Sequence, residues 1–447
     1  MKERIVLFSI IFGLGVFLYF FQNYFNTLWG LVFLCAGMFV YAFYLHLSTL
    51  HKKRKLKKNP QIVNENFKPF ITVMIPAHNE ASVITKTVQN VLEMDYENFE
   101  VIVIDDRSED NTGNVIKELE KQYDKVTALI REKDAFPGKS AVLNDALLLA
   151  KGEAILVFDA DARIAPDFLS KLVPDLEPED VGAVQARKVI INKDYNFLTR
   201  CQNNEMTLDT HFQVGRDSVK GAVELRGNGE LIKRTALDDI DGWNNYTITD
   251  DLDMSTQLHL KGWDIRFCPE TIVYEEGIIY LTPLFKQRRR WLEGSIRRYL
   301  ERFGEVLNSK DMSLRASLDM TAYISEFIMP IWFIMEVCFQ IYDVIVKSAP
   351  KNCIISSLIV GAGIAICFTL AARYSLRHFD KLSRFQALKQ AIETSLYLLF
   401  LWFPIVMFIC FKILFCEKDM NWGKTTHGLV LEEEFSMQNA KGKVQRV

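Results

Sequence analysis

Three acidic segments in this sequence each follow an apolar, β-branched run. Ile71 to Pro76 leads into Pro76-Ala77-His78-Asn79-Glu80, Glu100 to Asp105 into Asp105-Asp106-Arg107-Ser108, and Ala154 to Phe158 into Asp159-Ala160-Asp161. Carboxylates gathered in one place repel unless a cation or hydrogen-bond donors offset them. Asp159 and Asp161, one residue apart at a strand exit, can both reach one divalent ion, Mg²⁺ or Mn²⁺, whose remaining positions take diphosphate oxygens and water. An aspartate at a strand end also commonly caps the next helix. That accounts for one acid, not for acids at three strand ends. A further acidic stretch, Thr249-Asp250-Asp251-Leu252-Asp253, opens a helical pattern that Gly262 ends.

The elements that must position these residues alternate. Strands are expected at 71–76, 100–105, 126–130, 154–158 and 182–187, with helices at 81–94, 110–123, 139–151 and 165–175. Repeated βα units imply a mostly parallel sheet with helices on both faces. Such sheets bind ligands beyond the carboxyl ends of their strands, where the acids accumulate. No G-x-G-x-x-G follows the first strand and no Walker A lysine motif is present, so neither a dinucleotide dehydrogenase nor a P-loop ATPase is supported. The formal net charge of -3 gives no global basic character, and no nucleic-acid partner is expected. The eight cysteines form no C-x-x-C pair. They read as reduced packing residues, which argues against zinc.

Around this middle the chain is apolar. Ile5 to Phe21 and Leu28 to Leu45 each approach the length needed to cross ~30 Å of hydrocarbon. The basic run His51 to Lys58 follows the second, so residues 1–50 read as two transmembrane helices and 51–69 as a basic cytosolic linker touching membrane lipids. Three more apolar runs, Met320 to Val346, Cys353 to Ala372 and Ile392 to Cys416, make 311–416 a set of about three further transmembrane helices. The chain is thus expected to be a multi-pass protein of the cell membrane with its middle in the cytosol. A helix from Phe285 to Phe303 puts Trp291, Leu292, Ile296, Tyr299, Leu300 and Phe303 on one face and arginines on the other, so 285–310 reads as an amphipathic interface helix.

The middle region resembles the inverting family 2 glycosyltransferases, and more closely the membrane synthases of cellulose, chitin, hyaluronan and poly-N-acetylglucosamine. The likeness runs over about 70 to 300. It rests on Ile75 to Glu80, Ile104 to Ser108, Gly138-Lys139-Ser-Ala-Val-Leu-Asn144, Asp159-Ala-Asp161, Thr249-Asp250-Asp251 and Gln287-Arg-Arg-Arg290-Trp291. It implies a nucleotide-sugar-binding, GT-A-type (Rossmann-like) α/β domain over 70–284. The expected activity is transfer of a hexose or N-acetylhexosamine from a UDP-sugar, UDP-GlcNAc or UDP-Glc, onto a growing polysaccharide. One-sugar transfer to a lipid acceptor, a polyprenyl phosphate or a glycolipid, is the alternative.

By the same likeness Pro76, Ala77, Glu80 and Asp106 face the uridine, and Lys139 lies near the nucleotide. Asp159 and Asp161 hold the metal and diphosphate. Asp251 is the base that takes the acceptor's proton, with Asp250 where the family usually has Glu. Gln287 and Arg290 bind near the diphosphate, and Trp291 stacks on an acceptor sugar. Partners implied are the UDP-sugar, a glycan or lipid-linked acceptor and, for a processive enzyme, an accessory export subunit. Glu224 to Glu230 departs from several synthases, which have a Cys or an aromatic residue there. In the tail, 417–447, Asn421 to His427 resembles a cytosolic gating loop. Three C-terminal crossings leave that tail outside, so one run, around Pro330 or Pro404, is expected not to be a simple span.

Overall fold

The computed structural model describes residues 2–21, 28–58, 64, 66–323, 325–346 and 352–418. The expected gating segment, Asn421 to His427, lies outside the described residues. Two long helices open the chain, α1 (Lys2–Phe21) and α2 (Leu28–Lys58). The α/β region follows in the order β1 (Ile71–Ala77), α3 (Ile84–Leu92), β2 (Phe99–Asp105), α4 (Thr112–Gln122), β3 (Val126–Ile130), α5 (Lys139–Leu147), β4 (Ala154–Val157), β5 (Arg163–Ile164), α6 (Phe168–Leu172), β6 (Val181–Ile190), α7 (Phe197–Val219), β7 (Glu230–Lys233), α8 (Arg234–Asp239), α9 (Asp250–Leu260) and β8 (Asp264–Glu275). Helices α10 (Leu281–Asn308), α11 (Leu314–Tyr323), α12 (Ser325–Val346), α13 (Asn352–Phe379) and α14 (Arg384–Phe415) complete it.

Eight strands form one sheet, ordered β3-β2-β1-β4-β7-β6-β8-β5. The half from β3 to β4 is parallel, as the βα alternation implies. The other half is mixed: β7 runs antiparallel to both β4 and β6, and β5 antiparallel to β8. The strands are buried on both faces. Ile71, Val73, Val101, Val103 and Leu156 pack with Ile84, Val88, Ile116 and Phe168 on one side. Met74, Ile102, Ile104, Ile155 and Val157 pack with Val142, Leu143, Ala236 and Met254 on the other. Neighbouring residues of one strand thus belong to opposite cores, as a period of two demands.

Among the described residues five helical stretches are long and apolar enough to cross a membrane: Glu3–Phe20, Trp29–Lys58, Leu314–Val346, Ser357–Phe379 and Arg384–Phe415. Pro330 lies inside α12 and Pro404 inside α14, and both helices run on through them. The arginine side of α10 also differs from the expectation for a helix lying on a membrane. Arg288, Arg297 and Arg298 are buried. Arg288 pairs with Glu205 at 2.9 Å, Arg297 with Glu293 and Glu3, and Arg298 with Glu224 at 2.8 Å. Buried charge persists only when paired, so this face is an internal seam between α7, α9 and the apolar helices α1 and α14.

Helix α14 is tied to the α/β region near both of its ends. Glu393 accepts from Arg200 of α7, and Thr394 from Asn204. Tyr397 and Trp402 donate to Glu205 at 3.2 Å each. Near its end Lys412 donates to Glu293 of α10 at 2.6 Å, and beyond it Lys418 donates to Glu301 at 3.0 Å.

Candidate active site

The strand exits open onto a cavity of about 1640 Å³. Of the residues singled out from the sequence, Pro76, Glu80, Lys139, Asp159, Asp161, Asp251, Gln287, Arg290 and Trp291 line it. Five separate elements or their exits, β1, α5, β4, α9 and α10, bring these side chains together. Ala77 and Asp106 are not among its lining residues. The Asp106 carboxylate is fully buried and paired with Arg107 at 2.9 Å and with Arg131. Both of its oxygens accept from these internal arginines.

Asp159 leaves β4 and accepts from Lys139 Nζ at 2.6 Å. Lys139 opens α5, and it also donates to the Gly227 carbonyl at 2.7 Å. Burial opposes its charge, but Asp159, Asp250 and Glu230 hold the ammonium well above its ordinary range. Asp161 is buried and accepts from the Glu276 backbone N–H at 3.2 Å. Glu80 and Glu276 also line the cavity. Among the described residues no three His, Cys, Asp or Glu groups lie close enough to form a metal cage by themselves. Two hard oxygen donors on one strand exit suit an Mg²⁺ or Mn²⁺ whose other ligands come from a diphosphate and water. The residues present fit an ion that arrives with its nucleotide.

Asp250 and Asp251 open α9. A structural helix start would use Thr249 as the cap, yet its side chain makes no cap bond. Asp253 performs the structural work: it is buried and takes bonds from Asn244, Gln257 and Arg302. Asp250 and Asp251 are left to the cavity. One Asp251 oxygen accepts the Leu252 N–H at 2.8 Å. Desolvation, with Asp250 beside it, raises the Asp251 carboxyl to about 6. Such a group is charged at neutral pH and basic enough to take a proton.

Behind Asp251 lies Glu230 of β7, fully buried, the last residue of the divergent segment Glu224 to Glu230. Its Oε2 accepts from the Gly227 N–H at 3.1 Å. Burial raises its carboxyl to about 8, against the pull of Lys139. Gly227, at φ +71°, brings its backbone so close that a Cβ there would stand 3.3 Å from Asp251 Oδ2. A β carbon would therefore crowd the base as well as strain the turn.

The Trp291 ring is backed by the Arg288 guanidinium, 4.1 Å from its centroid, and Lys188 stands 5.8 Å from it. Arg288 is fixed by Glu205 at 2.9 Å and by Gln287 Oε1 at 2.6 Å. Burial pulls Arg290 below its ordinary value, while Asp250, Asp251 and Asp159 favour its charge. The missed cavity residues include Lys188, Asp209, Arg226, Glu275 and Glu276. Glu275-Glu276 follows Thr271-Ile-Val-Tyr274 at a strand exit, the same signature that flags Asp159 and Asp161.

The cavity does not stop at the polar residues. It continues along α2 from Leu31 to His46 and along α13 from Leu358 to Tyr374, with Phe333 of α12 and Trp402 and Phe403 of α14.

A model described as glycosyltransferase like family 2 matches residues 69–294. A beta-monoglucosyldiacylglycerol synthase of Trichormus variabilis is 38% identical over 369 residues, covering 80% of this chain and 76% of that protein. A poly-beta-1,6-N-acetyl-D-glucosamine synthase of Staphylococcus epidermidis is 29% identical over 246 residues, covering 55% of this chain and 59% of that one. Among solved structures, a Pyrobaculum calidifontis mannosyltransferase in complex with GDP-Man and Mn²⁺ superposes with a TM-score of 0.58 at 20% identity, covering 82% of this chain and 99% of that chain. The fold is therefore the GT-A-like α/β fold.

Proposed function

We propose, for a chain that belongs to glycosyltransferase-like family 2, the transfer of a single hexose from a UDP-sugar to the hydroxyl of an uncharged, diacylglycerol-type membrane lipid. The observation that carries this reading is the single cavity that joins Asp251 and Asp159 to the apolar walls of α2 and α13. Its volume of about 1640 Å³ exceeds the ~300–1,000 Å³ of an ordinary one-ligand pocket, leaving room for donor and acceptor together. The lining residues of α2 and α13 include no Asp, Glu, Lys or Arg. That suits acyl chains better than a sugar polymer, whose hydroxyls need hydrogen-bonding walls. Donor glucose and acceptor diacylglycerol accord with the names of the relatives that share 33–38% identity.

In this reading Asp251 takes the proton of the acceptor hydroxyl as its oxygen attacks the anomeric carbon. The bond to UDP breaks on the opposite face, and the anomeric configuration inverts. Lys139 and Arg290 face the leaving diphosphate with positive charge. A divalent ion at Asp159 and Asp161 would supply further charge stabilisation there. Trp291, held against Arg288, orients the acceptor head. The same stacking ring would suit a saccharide acceptor, so chain elongation is the second reading, with the poly-N-acetylglucosamine synthase likeness behind it.

The deciding experiment gives the full chain, in lipid vesicles, a panel of UDP-sugars with diacylglycerol or with oligosaccharide acceptors. One glycolipid product and no ladder is expected. A ladder of saccharides that forms without diacylglycerol would overturn the lipid reading.

A further inference from the structure

We infer that α14, although long and apolar enough to span, lies in the plane of the membrane at the leaflet nearest the α/β domain, with one apolar stripe immersed in lipid. The inference does not depend on which acceptor the enzyme uses. Glu393 and Thr394 bond α7, and Lys412 bonds α10. Residues 393 to 412 span roughly 28 Å at about 1.5 Å per residue, most of one ~30 Å hydrocarbon thickness. Both ends of that length are fastened to elements of the α/β domain. A domain of charged, paired side chains does not enter hydrocarbon, so a helix held against it end to end cannot leave by the far side.

The two faces of α14 agree. Ala387, Ala391, Thr394, Leu401, Ile405, Ile409 and Ile413 are buried at helical spacing. Ile405, Ile409 and Ile413 share a core with Leu292, Ile296 and Leu300 of α10 and Leu7 of α1. On the other side Leu396, Phe400, Phe408 and Phe411 stay 43–74% exposed. The Arg289 guanidinium covers the Phe408 ring at 4.1 Å from its centroid, and Leu396, Phe400 and Phe411 remain as an apolar stripe along a helix whose neighbours α12 and α13 have the length and composition of spans. Acyl chains of the leaflet are the occupant that fits it. Ser395, Leu398, Trp402 and Val406 form a third line and face the cavity. The helix then makes one wall of the cavity that Asp251 lines. Among the described residues the chain then crosses four times, and the end of α14 at Phe415 stays on the side of the catalytic domain.

Two measurements test this on the full chain in vesicles. Spin labels at Phe400→Cys and Phe411→Cys, each compared with the unsubstituted protein labelled at its native cysteines, report depth. In-plane placement predicts equal shallow depths, whereas a spanning helix would separate them by roughly 16 Å, eleven residues at about 1.5 Å, and would overturn the inference. An epitope after Val447 and protease added to either side of sealed vesicles give the second readout. The epitope should be cut from the same side as exposed loops of the catalytic domain. Cutting from the opposite side would likewise overturn it.

Discussion

Lys139 donates to Asp159 across 2.6 Å, so the helix-opening lysine and the strand-exit acid share one bond at the centre of the cavity. The contact fixes the ammonium where a nucleotide diphosphate would approach. Lys139→Gln is expected to lower kcat/KM for the UDP-sugar by about 10- to 100-fold, the size of one charge-assisted bond of about 1.5–3 kcal/mol. UDP-release kinetics measure this. A change of less than twofold would mean the lysine serves only the start of α5.

Asp251→Asn should bind UDP with near-normal affinity and lose about 10²–10⁴ in turnover, the usual worth of a positioned base. Calorimetric UDP titration and single-turnover assays separate the two. Turnover close to wild type would transfer the role to Asp250. Because desolvation raises the Asp251 carboxyl to about 6, its basic form is lost as pH falls below that value. The acid limb of kcat/KM against pH should bend near 6, about 2 units above an ordinary aspartate.

Excess EDTA should abolish transfer, and Mg²⁺ or Mn²⁺ should restore it. Asp161→Asn should shift the metal concentration for half-activity upward. Full activity in EDTA would assign the diphosphate to Lys139 and Arg290 alone.

Glu230 gives a stability prediction. Its carboxyl is raised from 4.5 to about 8, chiefly by burial. The native state therefore keeps a proton that the unfolded chain releases, so this contribution is complete below 4.5 and lost as pH rises through about 8. Wild type should lose more thermal stability than Glu230→Gln between pH 5 and 9. Parallel curves for the two proteins would refute the shift.

The strand-exit acids, the Thr249 to Asp251 helix start and the Gln287 to Trp291 segment were legible because each carries a local signature: an apolar run, then chemistry at its end. The parallel half of the sheet followed from the same alternation. The mixed half did not, since β7 has only four residues and its antiparallel pairing is set by tertiary contact. Asp106 shares the strand-exit signature of Asp159, and only Arg131, 25 residues on, tells them apart. The pairing of α14 was equally hidden. Ile409 faces protein and Phe411 does not, yet both are apolar, so hydropathy cannot distinguish a protein-facing from a lipid-facing side.

The seam along α10 makes the enzyme indivisible. A boundary drawn at residue 294, where the family likeness ends, cuts α10 midway. It would strip Arg288 of Tyr397 and Trp402, which help hold its partner Glu205, and Glu293 of Lys412 and Arg297. A soluble fragment made this way would keep every acid of the strand exits and still present Trp291 on an unanchored stub. The apolar helices here brace the side chains around Trp291, and removing them should cost activity before it costs nucleotide binding.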